Sequence, residues 1–373
     1  VSRKGNNEGS IRDRGNGRWE GSIQLLGRRF WVRGSSAADV RRKFAELRRQ
    51  EAVGELVPPS RVTVGEHLRA WLDAGRGDWK PKTYREYESI CRIYLEPAFG
   101  RVQLQKLTAP MIAARYARWR EERDIAGGTL LNVHRVLHRA LTVAVRQGLA
   151  GRNVAAAVEP PKARRKRPDL WAPEDARRFV AAIEGDRWGA LWGVLVGTGC
   201  RLGEAAALRW DDLDWEAGTV TLRRSLTWVD CEPVEGEPKT ASGTRTVSVP
   251  RFALEALRRW KVRQAEERLA AGPAWQGDGR VVTLADGRPP APWVCRNAMT
   301  RACAALGLRR IRLHDLRHFH ASLLLAEGTP LPAVSARLGH ANVAVTAAIY
   351  SHALRGQDAA AAEAFERRMV GTG

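Results

Sequence analysis

The stretch Leu313–Tyr350, LHDLRHFHASLLLAEGTPLPAVSARLGHANVAVTAAIY, decides how this chain is read. Its apolar residues recur at three- and four-residue spacing, which predicts helices over 314–326 and 331–338 and a short one around Thr346–Tyr350. Polar residues collect where these elements begin and end. His314 and Arg317 stand in the first helix, His340 follows Leu338-Gly339, and Tyr350 comes ten residues later.

Two more stretches of this kind lie upstream. Thr198-Gly199-Cys200-Arg201-Leu202-Gly203-Glu204 reads as a turn opening a helix. Pro238-Lys239-Thr240 stands before a strand expected over Thr244–Val249, with Lys239 in the turn of a β-hairpin. The order Arg201, Lys239, His314-x-x-Arg317, His340, Tyr350 resembles the catalytic order of the tyrosine recombinase (phage integrase) family. The resemblance covers 168–352. It implies a site-specific DNA recombinase that works through a covalent 3′-phosphotyrosine intermediate, without ATP or metal. It assigns Tyr350 as nucleophile, Lys239 as the acid that protonates the leaving 5′-oxygen, and a tetramer bridging two DNA sites.

The residue types suit that chemistry on their own terms. Charge on a phosphoryl group in transition spreads over its non-bridging oxygens, which planar guanidinium forks bind bidentately. Arg201 and Arg317 are expected on the scissile phosphate, with His340 donating to an oxygen. Lysine, unlike arginine, can be tuned to release a proton, and 168–373 holds only Lys239 and Lys261 against 25 arginines. Lys261, in a charged helical face, reads as solvated. A tyrosine of pKa near 10 costs about 4 kcal/mol to ionise at pH 7, and His314 is the expected proton acceptor. Asp315 or Glu204 would orient basic partners. His314, His318 and His320 crowd together, but their spacing turns His320 off the shared face, and no metal or other cofactor is expected.

Working outward, charge points the same way. The 373 residues carry 62 Lys+Arg against 41 Asp+Glu, a formal +21, which argues for a polyanionic partner. Residues 1–50 hold 13 basic and 5 acidic residues, Lys162–Arg167 adds five more positive charges, and 168–373 is nearly balanced at 27 against 24. Arg18, Arg28, Arg29, Lys162, Arg164, Arg165, Lys166 and Arg167 are the expected DNA contacts. Five scattered cysteines suggest neither a disulfide framework nor a zinc finger. No run of about 20 apolar residues and no signal-peptide pattern is present, so a cytoplasmic, nucleoid-associated protein is expected and a membrane is not.

The fold class expected is multidomain and mainly α. A small sheet-plus-helix domain (1–55) resembles the arm-binding domains of phage-type integrases. An all-helical domain (62–158) is similar to the family's core-binding, SAM-like domain. A basic linker (159–168) leads to a mixed α+β catalytic domain (169–373). Strands are expected at 10–12, 18–25, 29–33, 219–222 and 226–229, and Trp19, Phe30 and Trp31 either pack the first sheet or enter a DNA groove. His134 and His138, at i and i+4, read as surface or DNA-backbone residues. The tail beyond Tyr350 is helix-compatible and docks on its own domain or a neighbour's. The partners implied are double-stranded DNA with core-type and arm-type sites, further copies of the chain, and a directionality factor or DNA-bending host protein. The rival readings are a type IB topoisomerase and a catalytically silent DNA-binding regulator.

Overall fold

Turn chemistry sets the first sheet. Leu26 and Gly27 both take positive φ, 49° and 71°, the twist a two-residue hairpin needs, and join β2 (Trp19–Leu25) to β3 (Arg28–Gly34). With β1 (Ser10–Asp13) they form an antiparallel sheet in the order β1-β2-β3. The computed structural model describes residues 9–163, 170–237, 243–350 and 357–370. Ile23, Leu25 and Phe30 are buried against Val40 and Phe44 of α1 (Ala37–Ala52), whose first turn is capped by the Ser36 hydroxyl. Strand alternation splits the aromatic trio. Phe30 is core and Trp19 packs partly against it, whereas Trp31 lies on the outer face, paired with Ser22 and 60% exposed.

The second region is helical because its caps and apolar stripes agree. Thr63 and Glu66 form a reciprocal capping box that opens α2 (Val64–Gly75). Next come α3 (Pro81–Ile90), a π-helical turn (Cys91–Leu95) and α4 (Glu96–Phe99). The Thr108-capped α5 (Ala109–Arg123) and α6 (Gly127–Arg146) complete it. Leu68, Leu95, Ile112, Leu130 and Leu137 meet in one core. His134 belongs to that core rather than to the surface. It is 5% exposed, its Nδ1 lies 3.3 Å from the Tyr116 hydroxyl, and burial, then His138, pushes its pKa down. The expected surface role fails because position 134 falls on the apolar stripe of α6.

The chain divides at 165/166 into two compact units. The second is built around α8 (Gly189–Thr198), nearly all of it buried. Before it runs α7 (Pro173–Ala182) and after it α9 (Leu202–Ala207). Strands β4 (Leu213–Asp214), β5 (Thr219–Leu222), β6 (Ser225–Val229), β7 (Glu232–Gly236) and β8 (Arg245–Ser248) follow. The helices α10 (Arg251–Ala271), α11 (Pro292–Ala305), α12 (Leu313–Ala326), α13 (Leu331–Leu338), α14 (Val343–Tyr350) and α15 (Gln357–Val370) complete the unit. Phe179, Trp192, Leu195, Leu222, Val247, Leu257 and Leu316 share the main core.

One sequence expectation changes here and another is extended. The hairpin turns at Asp230-Cys231, both at positive φ, and pairs β6 with β7, while β8 pairs with β5. Lys239, expected in a hairpin turn, falls in the stretch between β7 and β8, which belong to separate sheets, and itself lies outside the described residues. Lys261 is exposed, as expected, and has aromatic neighbours as well. Its Nζ sits 5.6 Å and 5.4 Å over the rings of Trp210 and Trp215, a cation–π arrangement. Among the described residues no helix is long and apolar enough to cross a membrane.

Candidate active site

Gly199 ends α8 at φ +64°, a conformation that spares glycine a Cβ clash. An added Cβ would stand 2.7 Å from His320. The reversal buries Cys200 and leaves Arg201 as the N-cap of α9. Glu204, 3% exposed, accepts from the Arg201 backbone N–H at 2.9 Å and from Arg201 Nη1 at 2.8 Å. It also accepts from Nη2 of Arg245 at 2.9 Å. Arg245 is itself buried and donates Nε to the Arg337 carbonyl at 2.7 Å. Burial alone would raise the Glu204 carboxyl, but Arg245 and Arg201 outweigh it and hold it below the usual carboxylate range.

Glu204 therefore anchors the arginine layer, and its loss strands a buried cation. Glu204→Gln should destabilise the unit by about 3–5 kcal/mol, a fall of roughly 10 °C in Tm for a unit of this size. The wild-type contribution is present above the ordinary carboxylate pKa and is lost as pH falls through the lowered folded-state value. The variant's stability should accordingly change less on acidification. A thermal melt of the variant that overlays the wild type would refute this role.

Arg317 is the most enclosed cation of the site among the described residues. It is 2% exposed and donates Nη1 to Gly199 O and Nη2 to Leu338 O, both at 2.8 Å. These carbonyls belong to the C-terminal ends of α8 and α13, which have no intrahelical donor and carry partial negative charge. Burial, with Arg201 and Arg245 adding to it, pushes the guanidinium down to about 10.

His340 follows Gly339, the positive-φ cap of α13, and its Nδ1 lies 2.7 Å from Thr346 Oγ1. Partial burial, then Arg317, Arg201, Arg245 and His314, pushes His340 down to about 4. His314 also falls to about 4 through partial enclosure, His318, Arg317 and Arg201, although the residue as a whole is exposed. The two imidazoles thus sit in a field of cations, which suits an anion arriving from outside.

Tyr350 closes α14 with 1% exposure, packed with Ala321, Leu325, Val334 and Leu338. Burial pushes its phenol up to about 12, with Arg317 opposing. Its hydroxyl lies 2.8 Å from Nδ1 of His318. The hydroxyl is thus partnered by His318, one helical turn along α12 from His314, the expected acceptor. The His314 ring stands edge-on to His318 with centroids 4.8 Å apart. His320 has a structural place. Its Nδ1–H donates to Val196 O at 2.8 Å while its Nε2 accepts from Arg337 Nε at 3.0 Å. Among the described residues no cluster of three metal-ligating side chains occurs.

A cleft of about 860 Å³ adjoins this layer, lined by Cys200, Leu202, Arg296, Arg310, Arg312 and His314 among others. The structure thus gathers Arg201, His314, Arg317, His340 and Tyr350. Sequence reasoning weighed His318 only as a metal ligand and missed Arg245. The i, i+4 step from His314 is a signal for the first. The second shares a strand face with buried Val247, an unusual phase for an arginine. In the other unit, Arg18, Arg28 and Arg29 are exposed, and Lys162 is exposed and 3.6 Å from Glu159. Arg164, Arg165, Lys166 and Arg167 lie outside the described residues.

Residues 172–356 match the phage integrase family, and residues 63–119 match the phage integrase N-terminal SAM-like domain. The ICEBs1 integrase of Bacillus subtilis (strain 168) is 28% identical over 317 residues, covering 84% of each chain. An integrase of Streptomyces ambofaciens is 28% identical over 363 residues, 91% of this chain and 90% of its own. Among solved structures, the Tn1549 transposon integrase in complex with transposon right end DNA superposes with a TM-score of 0.68. It is 20% identical and covers 83% of this chain and 99% of that one. A lambda integrase tetramer bound to a Holliday junction gives 0.58 at 18% identity, over 96% of this chain and 99% of that one.

Proposed function

The chain belongs to the phage integrase family of tyrosine recombinases, and from that membership we propose how its residues break and rejoin DNA. It is a site-specific DNA recombinase. The observation that carries the residue assignment is the convergence on Arg317. Arg201, Arg245 and Tyr350 act on it electrostatically, and it acts in turn on His314 and His340.

In this reading Tyr350 attacks the scissile phosphate and forms a 3′-phosphotyrosine. Arg201 and Arg317 neutralise the non-bridging oxygens, with His314 and His340 donating to them. Lys239 protonates the departing 5′-oxygen. The phosphotyrosine conserves the bond energy, so the 5′-hydroxyl of a partner strand rejoins without ATP. Several copies act together, as a tetramer on two core-type sites. The exposed Arg29 and Trp31 on the outer face of the first sheet suit arm-type DNA, with Arg18, Arg28 and the basic linker 162–167 adding phosphate contacts. A directionality factor or a DNA-bending host protein sets the choice between integration and excision. The setting is the cytoplasm, on the nucleoid.

Incubation with nicked core-site DNA, followed by a denaturing gel, tests this reading. The full chain should give a covalent protein–DNA band on its cognate site and strand exchange only with a second defined site. A chain lacking residues 1–50 should still cleave the core site and fail with an arm-bearing partner. No covalent band on cognate DNA would overturn the enzymatic reading, and relaxation of any supercoiled duplex would indicate a topoisomerase instead.

A further inference from the structure

We propose that His318, and not His314, accepts the phenolic proton of Tyr350 as the tyrosine attacks the phosphate. The inference deepens the reading above and rests on Tyr350 being the nucleophile. Its geometry is direct, because Nδ1 of His318 lies 2.8 Å from the Tyr350 hydroxyl, inside the 2.6–3.2 Å reach of a general base. His314 meets His318 through ring contact, is exposed, and lines the adjoining cleft.

The need for such a partner follows from burial. A phenol pushed up to about 12 is ionised only about once in 10⁵ molecules at pH 7, and at 1% exposure Tyr350 has little access to water. The surroundings favour the transfer. Asp315, pinned by Arg312 and lying one turn before His318, interacts with it electrostatically and so favours the imidazolium. Arg317 favours the phenolate. Among the described residues another titratable neighbour is His314, on the same helix, which Arg317 and Arg201 also influence. Proton transfer then balances. The Tyr350 O–P bond forms as P–O5′ breaks, the phenolic proton goes to His318 Nδ1, and the 5′-oxygen is protonated by its own acid. Rejoining runs each transfer backwards, so His318 returns the proton to the departing phenolate.

His318→Asn tests this, because its amide places a neutral hydrogen-bonding atom close to where Nδ1 stood. Single-turnover cleavage at pH 7 should fall roughly 100-fold, with core-site binding retained. The rate of the variant should climb about tenfold per pH unit where the wild type has levelled off. On a site with a 5′-bridging phosphorothiolate, whose sulfur leaves unprotonated, the loss should persist, whereas a defect in the leaving-group acid is rescued there. His318→Gln should show the same loss and pH profile. Wild-type rate and profile in both variants, or the same loss and pH-dependent climb in His314→Asn instead, would overturn the proposal. If the wild type itself forms no adduct, the nucleophile assignment fails first.

Discussion

Tyr350→Phe is expected to bind core-site DNA as the wild type does and to form no covalent adduct. Cleavage should drop by roughly 10⁴-fold or more, the scale on which removal of a nucleophile acts. The phenyl ring preserves the packing on Val334 and Leu338, and the bond to His318 that it gives up is worth about 1 kcal/mol. A folded, DNA-binding variant is therefore expected, which isolates the chemical step. A covalent band of wild-type intensity from this variant would sink the assignment.

Arg317→Lys should lower cleavage by roughly 10³-fold with core-site affinity changed less than about threefold. Loss of a single preorganised donor at a developing oxyanion costs 10² to 10³, and here a planar fork is replaced by a point charge. Two of the five guanidinium donors are committed to Gly199 O and Leu338 O, so the remaining edge has a fixed aim. Lysine cannot reach both carbonyls and still face a phosphate. One buried carbonyl left unpaired would cost about 1–3 kcal/mol in stability as well. Cleavage within tenfold of wild type would show that the fork geometry is not required.

Much of this site could be read from spacing because its residues stand at helix ends that caps and glycines announce. Gly199 before Arg201 and Gly339 before His340 are signals of that kind, and Thr63-x-x-Glu66 worked equally well for α2. What escaped depends on contacts between elements remote in sequence. The bond between His318 and Tyr350 exists because α14 packs on α12, which no local pattern encodes. The double duty of Glu204 requires Arg245, on a strand 41 residues later. The β6–β7 turn went unmarked because Asp230-Cys231 takes positive φ without a glycine. Position 134 misled for a similar reason, since a histidine can sit in an apolar stripe once a hydroxyl from another helix satisfies it.

The small cluster around Tyr350 has a consequence for how the domain fluctuates. Ala321, Leu325, Val334, Leu338 and Tyr350 share no member with the main core built on α8. Opening can therefore be sub-global, with α14 loosening while Trp192, Leu257 and Leu316 stay packed and the bonds of Arg317 and Arg245 to the Leu338 and Arg337 carbonyls hold α13. Freeing the tyrosine ring from that cluster costs on the order of 2 kcal/mol of apolar burial, far less than melting the domain. The nucleophile thus belongs to a small packing unit of its own, apart from the core that holds the rest of the domain.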